Sequence, residues 1–281
     1  MMRRYLFVLA LLLGAFLTAC APATTPTRPT PNPSPTVPLS GRLTFAGSTT
    51  VQPLVGKLGE RFRELHPAVS LEIAAGGSVV GIKAIHDGSV DIGMASRSLH
   101  ADEAQGIVQT QVAIDIIGIV ANTTNPLTGL TKSDLRDIYL GRITRWSQLN
   151  GPDLAILVVT REMTSGTRGA FDEIILDKQA PAAPQMRTAI TAGDMAAIVA
   201  AEPAAIGYVG FGNIEAGLKT LQINGVAPAE ETAQAGSYPL TRPLLLLTGP
   251  LSQPLAQAFV AFVLSPEGQA LVARNGWVPA R

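Results

Sequence analysis

RLTFAGSTTVQPLVGKLGERFREL, residues 42–65, holds the pattern on which the reading of the fold turns. Arg42 to Ala46 has the character of a short strand, and Gly47-Ser48-Thr49-Thr50 is a polar turn. Val51, Leu54, Val55, Leu58, Phe62 and Leu65 then recur at the spacing of an amphipathic helix, which Pro67 should end. The order repeats downstream. VSLEIAA (69–75) reads as a strand, Gly76-Gly77-Ser78 as a turn, and 79–86 as a short helix stopping at Asp87-Gly88. VDIGMA (90–95) is a third strand, left by Ser96-Arg97-Ser98, with another helix predicted over 101–109. A succession of βα units implies an α/β fold with a mainly parallel sheet and helices on its faces. Ligands on such sheets bind beyond the carboxyl ends of the strands, so these turns should gather at one edge.

The second half repeats the style without a fixed period. A long apolar strand covers 112–121, and a helix within 130–140 is introduced by Thr131 with Asp134 three residues on, a variant capping box. AILVVT (155–160) is a buried strand running into Arg161-Glu162-Met163-Thr164-Ser165-Gly166-Thr167-Arg168, after which Ala170, Phe171, Ile174 and Ile175 continue at helical spacing. AIGYVG (205–210) and PLLLLT (243–248) read as strands, and 255–264 and 266–274 as apolar helices.

The 281 residues carry 21 basic and 21 acidic side chains, with 47% hydrophobic and 15% charged residues. That balance excludes a globally disordered chain and a broadly nucleic-acid-coating one. One cysteine permits no internal disulfide, and three histidines argue against a metal site. No cofactor is implied. Arg3 and Arg4, followed by an apolar run from Tyr5 to Leu17, form a secretory signal shorter than a bilayer span. Leu17-Thr18-Ala19-Cys20 resembles the lipobox of bacterial lipoproteins, which implies cleavage after residue 19 and lipidation of Cys20. Residues 21–40 are dominated by Pro and Thr and should form a semi-rigid tether in extended polyproline II. Loss of Arg3 and Arg4 leaves 19 basic against 21 acidic residues, a net −2. Capture of an anion must then rest on local geometry.

Hydroxyls of Thr49, Thr50, Ser78, Ser165 and Thr167, backbone N–H groups and one guanidinium could enclose a tetrahedral oxyanion. Arg161 is the main countercharge, because its planar fork donates two parallel bonds to adjacent oxygens. Any one such turn is explained by helix capping alone; the weight comes from several of them following strands. Arg97 and Arg168 stay open between ligand contact and salt bridge. The chain lacks G-x-S-x-G, S-x-x-K, G-x4-G-K-[ST] and H-E-x-x-H patterns, and His66, His86 and His100 are scattered, so an enzyme is not expected.

GSTTV (47–51), AGGSVVGIKAI (75–85), VDIGMASR (90–97), LTKSDLRDIYLGRITRWSQL (130–149), TREMTSGTRGAF (160–171), AIGYVG (205–210), YPLTRPLLL (238–246) and SPEGQALVARNGWVP (265–279) together resemble the phosphate-binding lipoproteins of bacterial ABC importers, of the periplasmic-binding-protein type. The resemblance implies a two-lobed fold with two hinge crossovers, near Ala113-Ile114 and Tyr238-Pro239, and an interlobe ligand cleft. Lobe one would be 41–113 plus 239–281, and lobe two 114–238. Thr49, Thr50, Ser78, Ser96 and Arg97 would approach the ligand from the first, Arg161, Ser165, Gly166 and Thr167 from the second. It further implies an extracytoplasmic monomer, held at the cell membrane through Cys20, that delivers inorganic phosphate to ABC permease subunits. Some family members place an aspartate after the third strand, where it accepts the proton of hydrogen phosphate; this chain has Ser96-Arg97. Asp91, Asp115 or Glu162 could replace that acceptor, although Asp91 also fits a structural cap and Glu162 an orienting partner for Arg161. Sulfate, molybdate or tungstate, or a signalling or adhesion role without transport, therefore stay open at this point.

Overall fold

In the computed structural model, residues 38–214 and 216–280 are described. The expected signal segment, Cys20 and the tether up to residue 37 lie outside the described residues. The chain runs β1 (Gly41–Gly47), α1 (Val51–Leu65), β2 (Val69–Ala75), α2 (Ser78–His86), β3 (Ile92–Ala95), β4 (Val108–Asn122), β5 (Gly129–Leu130), α3 (Lys132–Tyr139), β6 (Leu157–Arg161), α4 (Gly166–Ile174), β7 (Met186–Ala189), α5 (Ala192–Ala201), β8 (Ala205–Gly210), β9 (Leu218–Ile223), α6 (Glu230–Gln234), β10 (Thr241–Thr248), α7 (Pro254–Leu264), α8 (Pro266–Arg274) and β11 (Val278–Pro279).

The strand order β2-β1-β3-β10-β4-β8-β6-β7 explains how the two halves are joined. β1 lies parallel to β2 and β3, and β6 lies parallel to β7 and β8. Between these groups, β10 runs antiparallel to β3 and β4, and β4 antiparallel to β8. The sheet is therefore mixed, parallel only within each βα series. β4 serves both halves. Its residues up to Ile116 pair with β10, and from Ile117 onward they pair with β8 and β9. At the change of partner, the Ile117 N–H donates to the Leu240 carbonyl at 2.8 Å and the Tyr238 hydroxyl donates to the Ile117 carbonyl at 3.0 Å. The chain thus moves from one half to the other at 116–117 and returns just before Thr241.

Each half has its own apolar core. Phe45, Phe62 and Phe259 meet edge to face at centroid distances of 5.1 and 5.2 Å, in a cluster with Leu43, Leu54, Leu58 and Trp277. In the other half Phe171 stacks on Tyr208 at 4.2 Å, beside Tyr139 and Trp146. The helix predicted over 101–109 is not formed. Residues 101–106 are successive turns ended by Gly106 at φ 68°, and Val108 and Gln109 already pair with Thr248 and Leu247 of β10. Ladder hydrogen bonds outweigh the weak apolar spacing there.

α2 packs at backbone distance on β1 and β3 because glycines meet. A Cβ on Gly81 would lie 2.7 Å from the Ala46 carbonyl oxygen, 2.8 Å from that of Met94 and 3.0 Å from Gly47 Cα. This contact sets the height of Ser78, one turn upstream, over the ends of both strands. Gly81→Ala should lower stability by about 1–3 kcal/mol, since the obstructing atoms are backbone and cannot rotate away. Gly56→Ala in α1, where a Cβ meets nothing within 4 Å, should be neutral or stabilising by up to ~1 kcal/mol. Denaturation midpoints of the two variants check the contrast.

Candidate functional site

Helix capping accounts for some of the turn hydroxyls and leaves others free. At α1 the cap acceptor is Ser48, whose Oγ takes the N–H groups of Thr50 (3.2 Å) and Val51 (3.4 Å). Thr49 and Thr50 are released from that duty. At α2 the N-cap is Gly77 at φ 88°, without a side-chain cap, so the Ser78 hydroxyl is also free of it. At α4 the Ser165 Oγ accepts from the Arg168 N–H at 3.2 Å and caps the helix.

The freed groups meet between the halves. Thr50 Oγ1 lies 3.1 Å from Thr167 Oγ1. Thr49 Oγ1 accepts from Arg161 Nη2 at 3.2 Å and from the Ala192 N–H at 3.3 Å. Ser78 Oγ accepts from the Ser96 N–H at 3.0 Å and lies 3.4 Å from Ser96 Oγ. Gly166 sits directly over this pair: a Cβ there would overlap Ser78 Oγ and come within 2.7 Å of Ser96 Oγ. The Val79 N–H donates to the Thr164 carbonyl at 3.2 Å, bringing the starts of α2 and α4 together. Ser78, Ser96, Thr50, Ser165, Thr167 and Arg161 are all buried.

Arg161, 1% exposed, ends β6 and is held through its Nε, its Nη2 and its backbone. Its Nε and Nη2 donate to Glu162 at 3.0 and 3.1 Å, Nε also to the Ala189 carbonyl and Nη2 to that of Ile190. The Tyr208 hydroxyl accepts from its backbone N–H at 3.2 Å, and Arg168 donates to its carbonyl at 2.9 Å. Arg168 pairs with Asp172 as well, which fills its role structurally.

Arg97 is not tied to this hydroxyl cluster. Its guanidinium donates twice to Glu103, both at 2.7 Å, and to the Ser98 carbonyl, while its stem approaches Gly169 of α4. Asp91 accepts from the backbone and hydroxyl of Thr44 at 2.8 and 2.7 Å, remote from the cluster.

The residue that sequence reasoning passed over is Arg242. It lies in β10 and forks Nε and Nη2 onto Asp115 Oδ2 at 2.9 and 2.7 Å, with side-chain exposures of 1% and 0%. The same guanidinium reaches Ser96 Oγ and Thr50 Oγ1, each at 3.4 Å. Asp115 Oδ1 accepts from the Phe211 N–H at 3.1 Å. Burial pushes the Asp115 carboxyl above the usual carboxylate range, and the adjacent Arg242 pulls it back. A usable signal existed. An arginine inside TRPLLLLT and an aspartate inside AIDIIGIVA are charges within apolar runs, and buried charges are paired.

Two guanidinium groups, the six hydroxyls of Thr49, Thr50, Ser78, Ser96, Ser165 and Thr167, and the first turn of α4 thus converge where the two half-sheets share β4. Their combined donors suit a small multiply oxygenated anion. Fold and cluster together give an α/β protein of the binding-protein class with a buried, donor-rich polar junction between its halves.

Comparison with known proteins agrees. Residues 23–267 match the model of the PBP superfamily domain. The phosphate-binding protein PstS of Bacillus subtilis strain 168 is 32% identical over 247 residues, 85% of this chain and 81% of that protein. A Clostridium perfringens structure described as a phosphate ABC transporter substrate-binding protein with bound phosphate superposes with a TM-score of 0.83 at 34% identity, over 86% of this chain and all of that one. An ABC-type phosphate transport receptor from Vibrio cholerae gives 0.72 at 31% identity, over 85% of this chain and 100% of that chain. The chain belongs to the PBP superfamily and, within it, to the PstS family of phosphate-binding proteins.

The Arg97–Glu103 pair carries a pH signature. Arg97 beside it holds the Glu103 carboxyl below its ordinary range, so the pair stabilises the folded chain above the unfolded-state value of about 4.3. That contribution is lost as pH falls through the depressed folded-state value. Between about pH 5.5 and 3, where ordinary carboxylates titrate, Glu103→Gln should lose less stability than wild type in urea unfolding.

Proposed function

We propose that this chain captures inorganic phosphate between its halves outside the cytoplasm and delivers it to the permease subunits of an ABC importer. The observation that carries the reading is the meeting of Thr49, Thr50, Ser78 and Ser96 with Arg161, Ser165, Gly166 and Thr167 across the junction. Dehydrating a phosphate is costly, and each hydrogen bond to the charged guest returns about 1.5–3 kcal/mol. Donors from both halves reach one guest together only when the halves are closed on it, so binding energy favours closure. The relatives named for phosphate binding and the phosphate-bound C. perfringens structure support this substrate over other tetrahedral oxyanions.

The bodies that move are lobes close to the expected 41–113 plus 239–281 and 114–238, with the first crossover three residues later, at 116–117, and the second just before Thr241. The change of partner along β4 at Ile116 and Ile117 supports a hinge there. Glu162 aims Arg161, and its two bonds to that guanidinium leave it a poor acceptor for a proton of the ligand. Arg97 contributes through its stem against Gly169 and by fixing the exit of β3. The protein acts as a binding monomer with no chemical step, anchored to the membrane through lipid on Cys20.

Isothermal titration with phosphate, sulfate, molybdate and tungstate should show tight binding of phosphate above the others. Arg161→Ala should weaken phosphate binding by about 100-fold or more, the loss of two charge-assisted bonds. Wild-type affinity in that variant would overturn the site. In cells, Cys20→Ser should move the protein from the membrane to the soluble fraction.

A further inference from the structure

We infer that Arg242 is a specificity-determining residue of this site, acting from behind it by polarising two chains of hydroxyls, with Asp115 as the residue that positions it. The inference rests on the reading of the junction as an anion seat. Asp115 is fixed first: one oxygen takes the Phe211 N–H, the other takes Nε and Nη2 of Arg242. That fork leaves little freedom to the guanidinium plane. From it, Nη2 donates to Thr50 Oγ1 and Nη1 to Ser96 Oγ. The next links are Thr50 Oγ1 to Thr167 Oγ1 at 3.1 Å and Ser96 Oγ to Ser78 Oγ at 3.4 Å.

A hydroxyl has one proton and two lone pairs. A guanidinium N–H on one lone pair repels the hydroxyl proton, so the orientation with that proton on the far side is favoured. Thr50 therefore donates toward Thr167, and Ser96 toward Ser78, whose oxygen already receives the Ser96 N–H. The terminal hydroxyls, on Thr167 and Ser78, keep their own protons to give away. Both ends lie at the first turn of α4, where Gly166 overlies Ser78. Chained hydrogen bonds polarise one another, so the charge of Arg242 is felt at both ends although it need not touch the guest. The seat presents protons rather than lone pairs. It selects an oxyanion whose facing oxygens are all acceptors over a neutral polyol of the same size.

The test is a double-mutant cycle in the full chain, with phosphate as probe and titration calorimetry as readout. Arg242→Lys keeps the charge but cannot serve Asp115 and both hydroxyls, and should weaken binding tenfold or more. Thr167→Val should do likewise. Combined, they should weaken binding by clearly less than the product of the single effects, because each breaks the same chain. Asp115→Asn should also weaken binding and be non-additive with Arg242→Lys. A merely structural role predicts effects that multiply, and that result would overturn the inference. Should Arg242→Lys not fold, Ser96→Ala with Ser78→Ala forms the second cycle, with the same criterion. Wild-type affinity in Arg242→Lys removes this assignment and leaves phosphate capture standing. Failure of the wild-type chain to bind any of the four oxyanions removes both.

Discussion

Burying polar groups at the junction of two half-sheets is the constraint from which the rest of this molecule follows. A hydroxyl or guanidinium taken out of water without partners costs several kcal/mol, more for the charged group. Thr50, Ser78, Ser96, Thr167, Arg161 and Arg242 are all removed from water here. They can coexist only by satisfying one another and Asp115, Glu162 and the backbone. The groups come from the turns after β1 and β3 and from α2, β4, β6, α4, β8 and β10. The polar cluster therefore fixes the relative positions of strands that an apolar core alone would leave free to slide.

The architecture supplies that cluster cheaply. β4 passes through both halves, placing Asp115 on one side of the change of partner and Phe211, the residue after β8, on the other. β10 then returns antiparallel and sets Arg242 opposite Asp115 in direct register. Asp115 and Arg242 are the charged residues of these two strands, and each borders an apolar run near the crossing. The glycine contact of α2 with β1 and β3 serves the same end, lowering Ser78 to the level of the strand ends. Ser165 spends its acceptor on capping α4 and still has a proton to give; Ser48 spends its oxygen on α1 and frees both threonines after it.

Much of this was legible from strand–turn–helix order. The turns at Thr49-Thr50, Ser78 and Ser165-Thr167 were placed at strand exits, and local sequence suffices for that because capping and glycine turns are local physics. The antiparallel β4 and β10 were not legible as such: apolar runs identify strands but say nothing of direction, which depends on connections made a hundred residues away. The segment 101–109 was misread because a short apolar spacing resembles a helix until a ladder partner claims it. β7 and α5 went unread, although Thr191 with Asp194 forms a capping box that marks the helix start. Arg97 drew attention by standing in a turn, and Arg242 escaped it by standing in a strand. In the structure the turn arginine is neutralised by Glu103, and the strand arginine donates to the hydroxyl cluster.

That inversion has a physical basis. An arginine in a solvent-edged turn can find a carboxylate within a few residues, as Arg97 finds Glu103, and its charge is then spent locally. An arginine in the middle of a sheet has no local partner and must be met by a residue distant in sequence, here 127 positions away. Such a pair is weak evidence for stability, since apolar residues of similar volume often do as well. Its persistence beside free hydroxyls is better explained by what it orients. Asp115 takes only part of the donor set of Arg242, and the remaining N–H groups fall on the oxygens of Thr50 and Ser96. A buried cation with donors in excess of its counterion, surrounded by rotatable hydroxyls, imposes a direction on every proton near it. The direction it imposes here leads toward the first turn of α4.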